Sequence, residues 1–475
     1  MKRYLFVILL CAACSGLYAN ADTADVASPL MLSLDSCRAM ALRTSEDIKI
    51  AELTVDKAQA EKNALTSMYF PKMSATGGVM YVFKDINVMN SIEGVIPPLE
   101  ITDERIPEIL LDPINKGLGQ LRNDIIDAWE PMNISLKGVY MAGLTLMQPV
   151  FAGGRVVTGN RLAKMGVGMA QDNLQMKKNE TLLEADKMYW MYVSVREKVK
   201  LASIYDNLLT EVERLLTNVE DVDMINRNDL MKVQVQHNQV RMQLQQARSG
   251  AELCRMALCR MVGLDYLVQI VPTDTVVQTP EYVPLASDSA VYDRLEYRLM
   301  KKMIMMKEGQ VRLTVGEYLP TVGLAATYSV IGGVEILNTP DLPYEIPAVM
   351  ATVNIPLTQW WEGSQKIKSA KIDKNISMLE MEKNKRLMEL EIKQATLNMQ
   401  DAFTQIKMSE EALDQAKENL RISTDRYQVE LETIVNLLDA QSQWQMAYSD
   451  LIDARINFRI RETEFLKATA QLECQ

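Results

Sequence analysis

Tyr318-Leu-Pro-Thr-Val-Gly-Leu-Ala-Ala-Thr-Tyr-Ser-Val330 alternates residue by residue. Tyr318, Pro320, Val322, Leu324, Ala326, Tyr328 and Val330 share one face, and Leu319, Thr321, Gly323, Ala325, Thr327 and Ser329 share the other. Period-two patterning of this length reads as a strand, and an apolar face opposite a small, polar one suits lipid on one side and a wet lumen on the other. A partner follows, with Val349, Ala351, Val353, Ile355 and Leu357 set against Met350, Thr352 and Asn354. Thirteen residues at strand rise cover about 40 Å, enough to cross a bilayer at the usual tilt.

The same pattern occurs earlier in the chain. Tyr69, Met73, Ala75, Val79, Tyr81 and Phe83 oppose Lys72, Ser74 and Thr76, and a less regular strand runs from Lys137 to Val150. Thr145 and Pro149 map onto Thr352 and Pro356 at an offset of 207, and Leu230, Gln234, Leu244, Ala247 and Arg248 map onto Leu437, Gln441, Leu451, Ala454 and Arg455 at the same offset. Tyr69 and Pro71 match Tyr318 and Pro320 at an offset of 249, so the first copy holds 42 extra residues between its two prolines. An internal repeat on this scale makes each copy one architectural unit.

Each strand pair precedes a long helical interval. Gly and Pro are both absent from 169 to 249 and from 364 to 475. Within the second interval Met388, Ile392, Ala395, Met399, Ala402, Ile406, Ser409, Leu413, Ala416, Leu420, Ser423 and Tyr427 recur in steps of four and three, the period of helices packed lengthwise. Ala185, Met188, Tyr192, Val195, Val199, Ala202, Leu209 and Leu216 continue that phase in the first copy, interrupted by Asp206 and Glu213. A helix from Val156 to Val219 would be roughly 95 Å long. It should turn near 220 to 229, and its counterpart near 426 to 436.

Composition narrows the function. Met1, Lys2 and Arg3, the apolar run Tyr4 to Leu10 and the Ala19-Asn20-Ala21 site read as a signal peptide cleaved after Ala21, with lipidation at Cys14 as the alternative. Removing Lys2 and Arg3 takes the net charge from −11 to −13, which argues against nucleic acid and anionic lipid as partners. The other four cysteines, Cys37, Cys254, Cys259 and Cys474, are too sparse for a disulfide scaffold. A single histidine, His237, aligned with Trp444, reads as helix packing and leaves no His-based metal cluster or catalytic triad. The 31 methionines lie mostly at seam spacing, where they fill gaps. No catalytic, cofactor or metal site is expected.

Aromatics gather where strands meet helices: Tyr69, Phe70, Phe151, Tyr318, Trp360 and Trp361. They read either as an interfacial girdle or as core at the base of a sheet. Pro149 and Pro356 end their strands and mark the switch to helix. Residues 84 to 137 hold ten acids against five bases, and 331 to 347 three acids and no base. Both read as acidic external loops; the longer, with a short helix from Pro113 to Trp129, either folds over a pore mouth or decorates the surface.

Taken together, the signal peptide, the duplicated strand pair with a long hairpin, and Tyr-X-Pro at each first strand resemble the TolC family of outer-membrane channel-tunnels. Arg426-Tyr-Gln-Val-Glu-Leu-Glu-Thr-Ile-Val-Asn-Leu-Leu-Asp-Ala-Gln441 looks like that family's second hairpin tip, and Asn228-Asp-Leu-Met-Lys-Val-Gln234 like its first. The resemblance implies an α+β membrane protein, a trimeric channel-tunnel in which four strands per protomer build a 12-stranded β-barrel continued by a long α-helical barrel. It divides the chain into a signal peptide at 1–21, a first repeat at 22–285 and a second at 286–475. In the first repeat, strands are expected near 68–83 and 137–150 and helices near 31–66, 156–219 and 229–262. In the second, strands are expected near 318–330 and 348–357 and helices near 287–316, 361–425 and 434–470.

Trimerisation also follows physically, because four strands cannot close, two chains give a filled eight-stranded barrel, and three leave a lumen. The implied function is passive export in a tripartite efflux or type I secretion system. The implied partners are two further copies, a periplasmic adaptor (membrane fusion) protein, an inner-membrane transporter of the RND or ABC type, and outer-membrane lipid. A periplasmic coiled-coil spacer without a pore is the alternative. Asp221, Asp223, Arg227, Asp229, Arg426, Tyr427, Glu430 and Glu432 are the candidate tip or gate residues, as a closing network or as solvated turn charges. The family usually places glycine in the tip turn, and Glu430 or Leu431 stands there in the second copy.

Overall fold

The computed structural model describes residues 29–81, 83, 97–102, 108–129, 134–135, 138–220, 227–274, 287, 289–333, 335–336 and 343–472. The signal peptide, Cys14, Asp221 and Asp223 lie outside the described residues. In chain order the elements are β1 (Leu30–Leu32), α1 (Leu34–Thr44), α2 (Glu46–Thr66), β2 (Lys72–Met80), α3 (Glu108–Trp129), β3 (Ile134–Ser135), β4 (Val139–Ala152), α4 (Arg155–Glu220), α5 (Arg227–Val262) and β5 (Ile270–Pro272). There follow α6 (Ala290–Asp293), α7 (Leu295–Glu317), β6 (Thr321–Gly332), β7 (Glu335–Ile336), β8 (Tyr344–Asn354), α8 (Trp360–Gln428) and α9 (Ile434–Ala468).

The chain forms two compact units, and each draws on both repeats. One comprises Met1–Lys57, Gly168–Met303 and Met378–Gln475; the other comprises Ala58–Val167 and Ile304–Ser377. The second unit holds a four-stranded antiparallel sheet in the order β2-β4-β6-β8. Pairing β4 with β6 joins the two repeats within one sheet. A two-residue ladder between β3 and β7 ties the long connection to the short one.

Each first strand starts three residues past its tyrosine. Ser67–Tyr69 forms a 3-10 turn, and Tyr318 and Leu319 still donate back to Val315 and Gly316 of α7. Gly153, at φ 61°, closes the turn from β4 into α4, and a Cβ there would sit 2.1 Å from the Gly316 carbonyl oxygen. Only glycine permits so close an approach of two backbones.

In the helical unit the four-three periodicity predicts the buried face. Met388, Ile392, Ala395, Met399, Ala402, Ile406, Leu413 and Ser423 are all buried on α8. Met399, Ala402, Ile406 and Leu413 pack against Leu451, Ala454, Phe458 and Phe465 of α9. A second cluster gathers Leu32, Cys37, Ala41, Tyr189, Leu258, Cys259 and Ile270 around the parallel β1–β5 pair. The cysteines are packed: burial first, then the Asp186 carboxylate, pushes the Cys37 thiol up to about 12.

At the centre of that cluster lies a charge the sequence did not advertise. Asp186 on α4 is fully buried. Arg38 of α1 donates to both its oxygens, each at 2.7 Å, and Thr463 of α9 donates at 2.8 Å. A carboxylate removed from water requires such donors, since an unpaired buried charge is strongly unfavourable. The clamp therefore fixes α1, α4 and α9 to one another. Asp186→Ala, which strands Arg38, should destabilise this unit by about 3 kcal/mol and Thr463→Val by about 1 kcal/mol. Chaotrope unfolding followed by far-UV dichroism reads both; equal, negligible shifts would show the clamp to be dispensable.

Candidate functional site

Residues directly opposite in a ladder lie on the same face of a sheet, so the register decides what each side presents. Leu146 pairs with Met73 and Ala326, Leu144 with Ala75 and Tyr328, and Val349 with Ala326. On the other side Thr145 pairs with Ser74 and Thr327, and Thr352 with Gly323. The apolar sets of all four strands thus share one face, and Lys72, Ser74, Thr76, Thr145, Thr327, Ser329, Thr352 and Asn354 share the opposite one. Among the described residues neither β2 nor β8 has a second neighbour.

β4 bulges near its end. A register shift between Pro149 and Phe151 leaves Val150 unpaired and sets Phe151 opposite Val322, on the apolar face. Gln148 shares that face, opposite Leu324, and donates to the carbonyls of Tyr69 and Pro149 at 3.3 and 3.1 Å.

The six junction aromatics do not form a core. Tyr69, Phe70, Phe151, Trp360 and Trp361 are exposed, Trp361 by 87%. Tyr318 is half-buried because its ring lies against Gly363, where a Cβ would come within 2.7 Å of it. Contrary to the expectation, Pro149 does not end its strand, because β4 bulges past it and pairs on to Ala152, whereas Pro356 stands two residues beyond the end of β8.

At the second tip α8 ends in a Schellman turn. Leu431 N donates to Arg426 O at 2.9 Å and Glu430 N to Tyr427 O at 3.1 Å, with Glu430 at φ 59°. That conformation is the one glycine usually supplies. Thr433 then caps α9, its side chain accepting from Asn436 N. Tyr427 packs with Leu216, Leu230, Val233, Ile434 and Leu437, so an apolar cluster joins the two hairpins. Burial first, and the Asp229 carboxylate second, raise its phenol pKa.

Among the described residues no ion-paired network links the candidate tip residues within the protomer. Asp229 pairs with Lys232 at 3.0 Å, Arg227 opens α5, and among the described residues Arg426 and Glu430 have no ion-pair partner. Glu432 holds one buried oxygen without a donor.

His237 explains the interrupted seam. Its Nδ1 lies 2.7 Å from Glu213 Oε2, and its Nε2 3.2 Å from Asp206 Oδ1 and 3.3 Å from Thr210 Oγ1. A neutral imidazole carries one N–H, so both carboxylate contacts are hydrogen bonds only when the ring is cationic. At the same repeat positions the second copy has Leu413, Leu420 and Trp444. One hairpin thus carries a polar triad where the other carries three apolar side chains, Leu413 and Trp444 in one packed cluster and Leu420 in the next. Among the described residues no group of His, Cys, Asp and Glu is arranged to hold a metal ion.

Residues 301–471 match a family model described as outer membrane efflux protein. No curated protein matches the sequence. Three solved structures share the fold. CusC superposes with a TM-score of 0.72 at 13% identity, covering 96% of this chain and 95% of its own. The outer membrane protein VceC of Vibrio cholerae gives 0.71 at 14%, covering 92% and 95%. The CmeC outer membrane channel of Campylobacter jejuni gives 0.73 at 15%, covering 93% and 87%.

Two sets of substitutions test the local readings. Glu430→Gly should relieve about 1 kcal/mol of left-handed strain, read as slower amide exchange across 427–433; faster exchange would contradict the turn. His237→Leu alone should lower thermal stability, whereas Asp206→Leu with Glu213→Leu and His237→Trp, the second copy's own set, should restore it. A triple variant no more stable than the single one would refute the equivalence.

Proposed function

We propose, from the match of residues 301–471 to the outer membrane efflux protein model, that the chain is the outer-membrane conduit of a tripartite export system. The observation that carries this is the sheet: four strands with one face apolar except for Gln148 and Glu345, the other carrying Lys72 and most of the hydroxyls among Met141, Met147, Ile346 and Met350, and two edges unpaired among the described residues. In lipid every backbone N–H and C=O must be satisfied, so a spanning sheet must close. Three copies joined β8 to β2 give twelve strands and a lumen. The apolar face then meets lipid and the hydroxyl-rich face meets water.

In this reading the junction aromatics form the periplasmic girdle and the helices continue the conduit toward an adaptor protein and an inner-membrane transporter of the RND or ABC type. Transport is passive, so the site residues position and gate. Asp221, Asp223, Arg227, Asp229, Arg426, Tyr427, Glu430 and Glu432 are the proposed gate set. Within one protomer Arg426 and Glu430 have no ion-pair partner among the described residues, which suits partners on a neighbouring copy.

The polar sheet face carries Lys72 and no carboxylate among its paired residues. Any cation preference from the acidic balance of the chain must therefore arise in the loops or the helices. A spacer without a pore has no use for the apolar sheet face.

Extracted in detergent, the protein should run as a heat-modifiable trimer and give discrete conductance steps in a planar bilayer. Trimers that never conduct would refute the conduit. Arg426→Ala should raise the open fraction severalfold; unchanged conductance would remove Arg426 from the gate.

A further inference from the structure

We propose that a pocket at the junction of α7 and α8 binds the phosphate and acyl stem of a glycerophospholipid from the periplasmic leaflet. The pocket has a volume of about 570 Å³ and is lined by Val315, Tyr318, Leu319 and Trp360 together with Lys368 and Lys371. It lies next to the sheet in the chain, since β6 begins at Thr321 and β8 ends at Asn354. This assignment rests on the outer-membrane reading above.

Charge singles the pocket out. Lys366 is paired with Glu362 at 2.6 Å and Lys374 with Glu308 at 3.4 Å. Lys368 and Lys371, between them in sequence, have no acidic partner among the described residues. They are one helical turn apart, so both ammonium groups reach the same side of α8. A net charge of −11 speaks against a broad anionic surface as partner, but two unpaired cations beside a Trp and a Tyr make a local exception. Aromatics with apolar bodies and polar tips belong at headgroup depth, and basic pockets beside membrane-spanning elements select phosphate headgroups. An apolar wall without lysines would take any acyl chain; lysines without the wall would take free phosphate. The combination specifies an anionic amphiphile.

The duplication supplies an internal control. Arg161 and Lys164 occupy the repeat positions of Lys368 and Lys371, but Gly153 and Gly154 stand where Trp360 and Trp361 would be. The first copy retains the cations and, in Tyr69, the counterpart of Tyr318, but has no tryptophan there, and is not expected to hold the lipid.

The test is quenching of Trp360, taken as wild type minus Trp360→Phe, by lipids brominated on their acyl chains in reconstituted trimers. Brominated phosphatidylglycerol should be enriched at the pocket over brominated diacylglycerol on the order of tenfold. Lys368→Gln with Lys371→Gln should abolish that preference, and Arg161→Gln with Lys164→Gln should leave it intact. Equal quenching by the two lipids, or a preference that survives the Lys368 and Lys371 changes, would overturn the site. Displacement of phosphatidylglycerol by millimolar inorganic phosphate would reassign it to the free anion and overturn the lipid claim. Protein that shows no quenching by any brominated lipid and floats free of vesicles would refute the membrane reading and the pocket with it. An inserted trimer without headgroup preference would refute the pocket alone.

Discussion

Backbone hydrogen bonding at the edges of the sheet is the constraint on which the rest depends. β2 and β8 each present a row of amides and carbonyls with no partner among the described residues, and a hydrocarbon surround offers none. Water on one side would relieve a soluble sheet of this problem, yet the register places Leu144, Leu146, Leu324, Tyr328 and Val349 together on one apolar face. Face and edge have to be solved at once. In the proposed assembly, closure through identical copies would do both, and it would fix the minimum lumen, because too few strands leave no interior space.

The helical unit answers a different demand. Long helices that slide past one another keep most of their contacts, so directional bonds are needed to set their axial position. Asp186 serves this purpose, holding Arg38 and Thr463 at bonding distance from two other helices. The polar triad of His237, Asp206 and Glu213 does the same within the first hairpin. In the second copy the corresponding contacts are apolar, and hydrophobic contact is tolerant of small shifts. The two hairpins therefore differ in how sharply their register is set, although their backbones are matched element for element.

Much of the architecture was legible because it is periodic. Alternation of two exposed the sheet faces, and alternation of four and three named Met388, Ile392, Met399 and Ile406, which are all buried. What stayed hidden is not periodic. Arg38, Asp186 and Thr463 are separated by up to several hundred residues, and nothing local in their segments marks them as partners. Asp206 and Glu213 looked like defects in a seam until His237 was found between them. β4 read as irregular because Gln148 stands on the apolar face and Met141 and Met147 on the other, and a bulge after Pro149 then carries Phe151 to the apolar face. The second tip lacks the glycine usual in such turns, and Glu430 adopts the left-handed conformation in its place, held by the carbonyls of Arg426 and Tyr427. At the first tip Asp221 and Asp223 fall outside the described residues.

The ladder between β4 and β6 joins the two repeats along twelve paired positions. Unfused, two-stranded repeats would need six molecules to make the same ring, and all six seams would have to form by diffusional encounter. Covalent fusion makes every second seam intramolecular, where effective concentration replaces bulk concentration. A ring of three fused chains thus has half as many encounters to complete. Fusion also frees the two halves to diverge, so that acidic insertions, aromatic walls and a histidine can each appear three times around the axis instead of six.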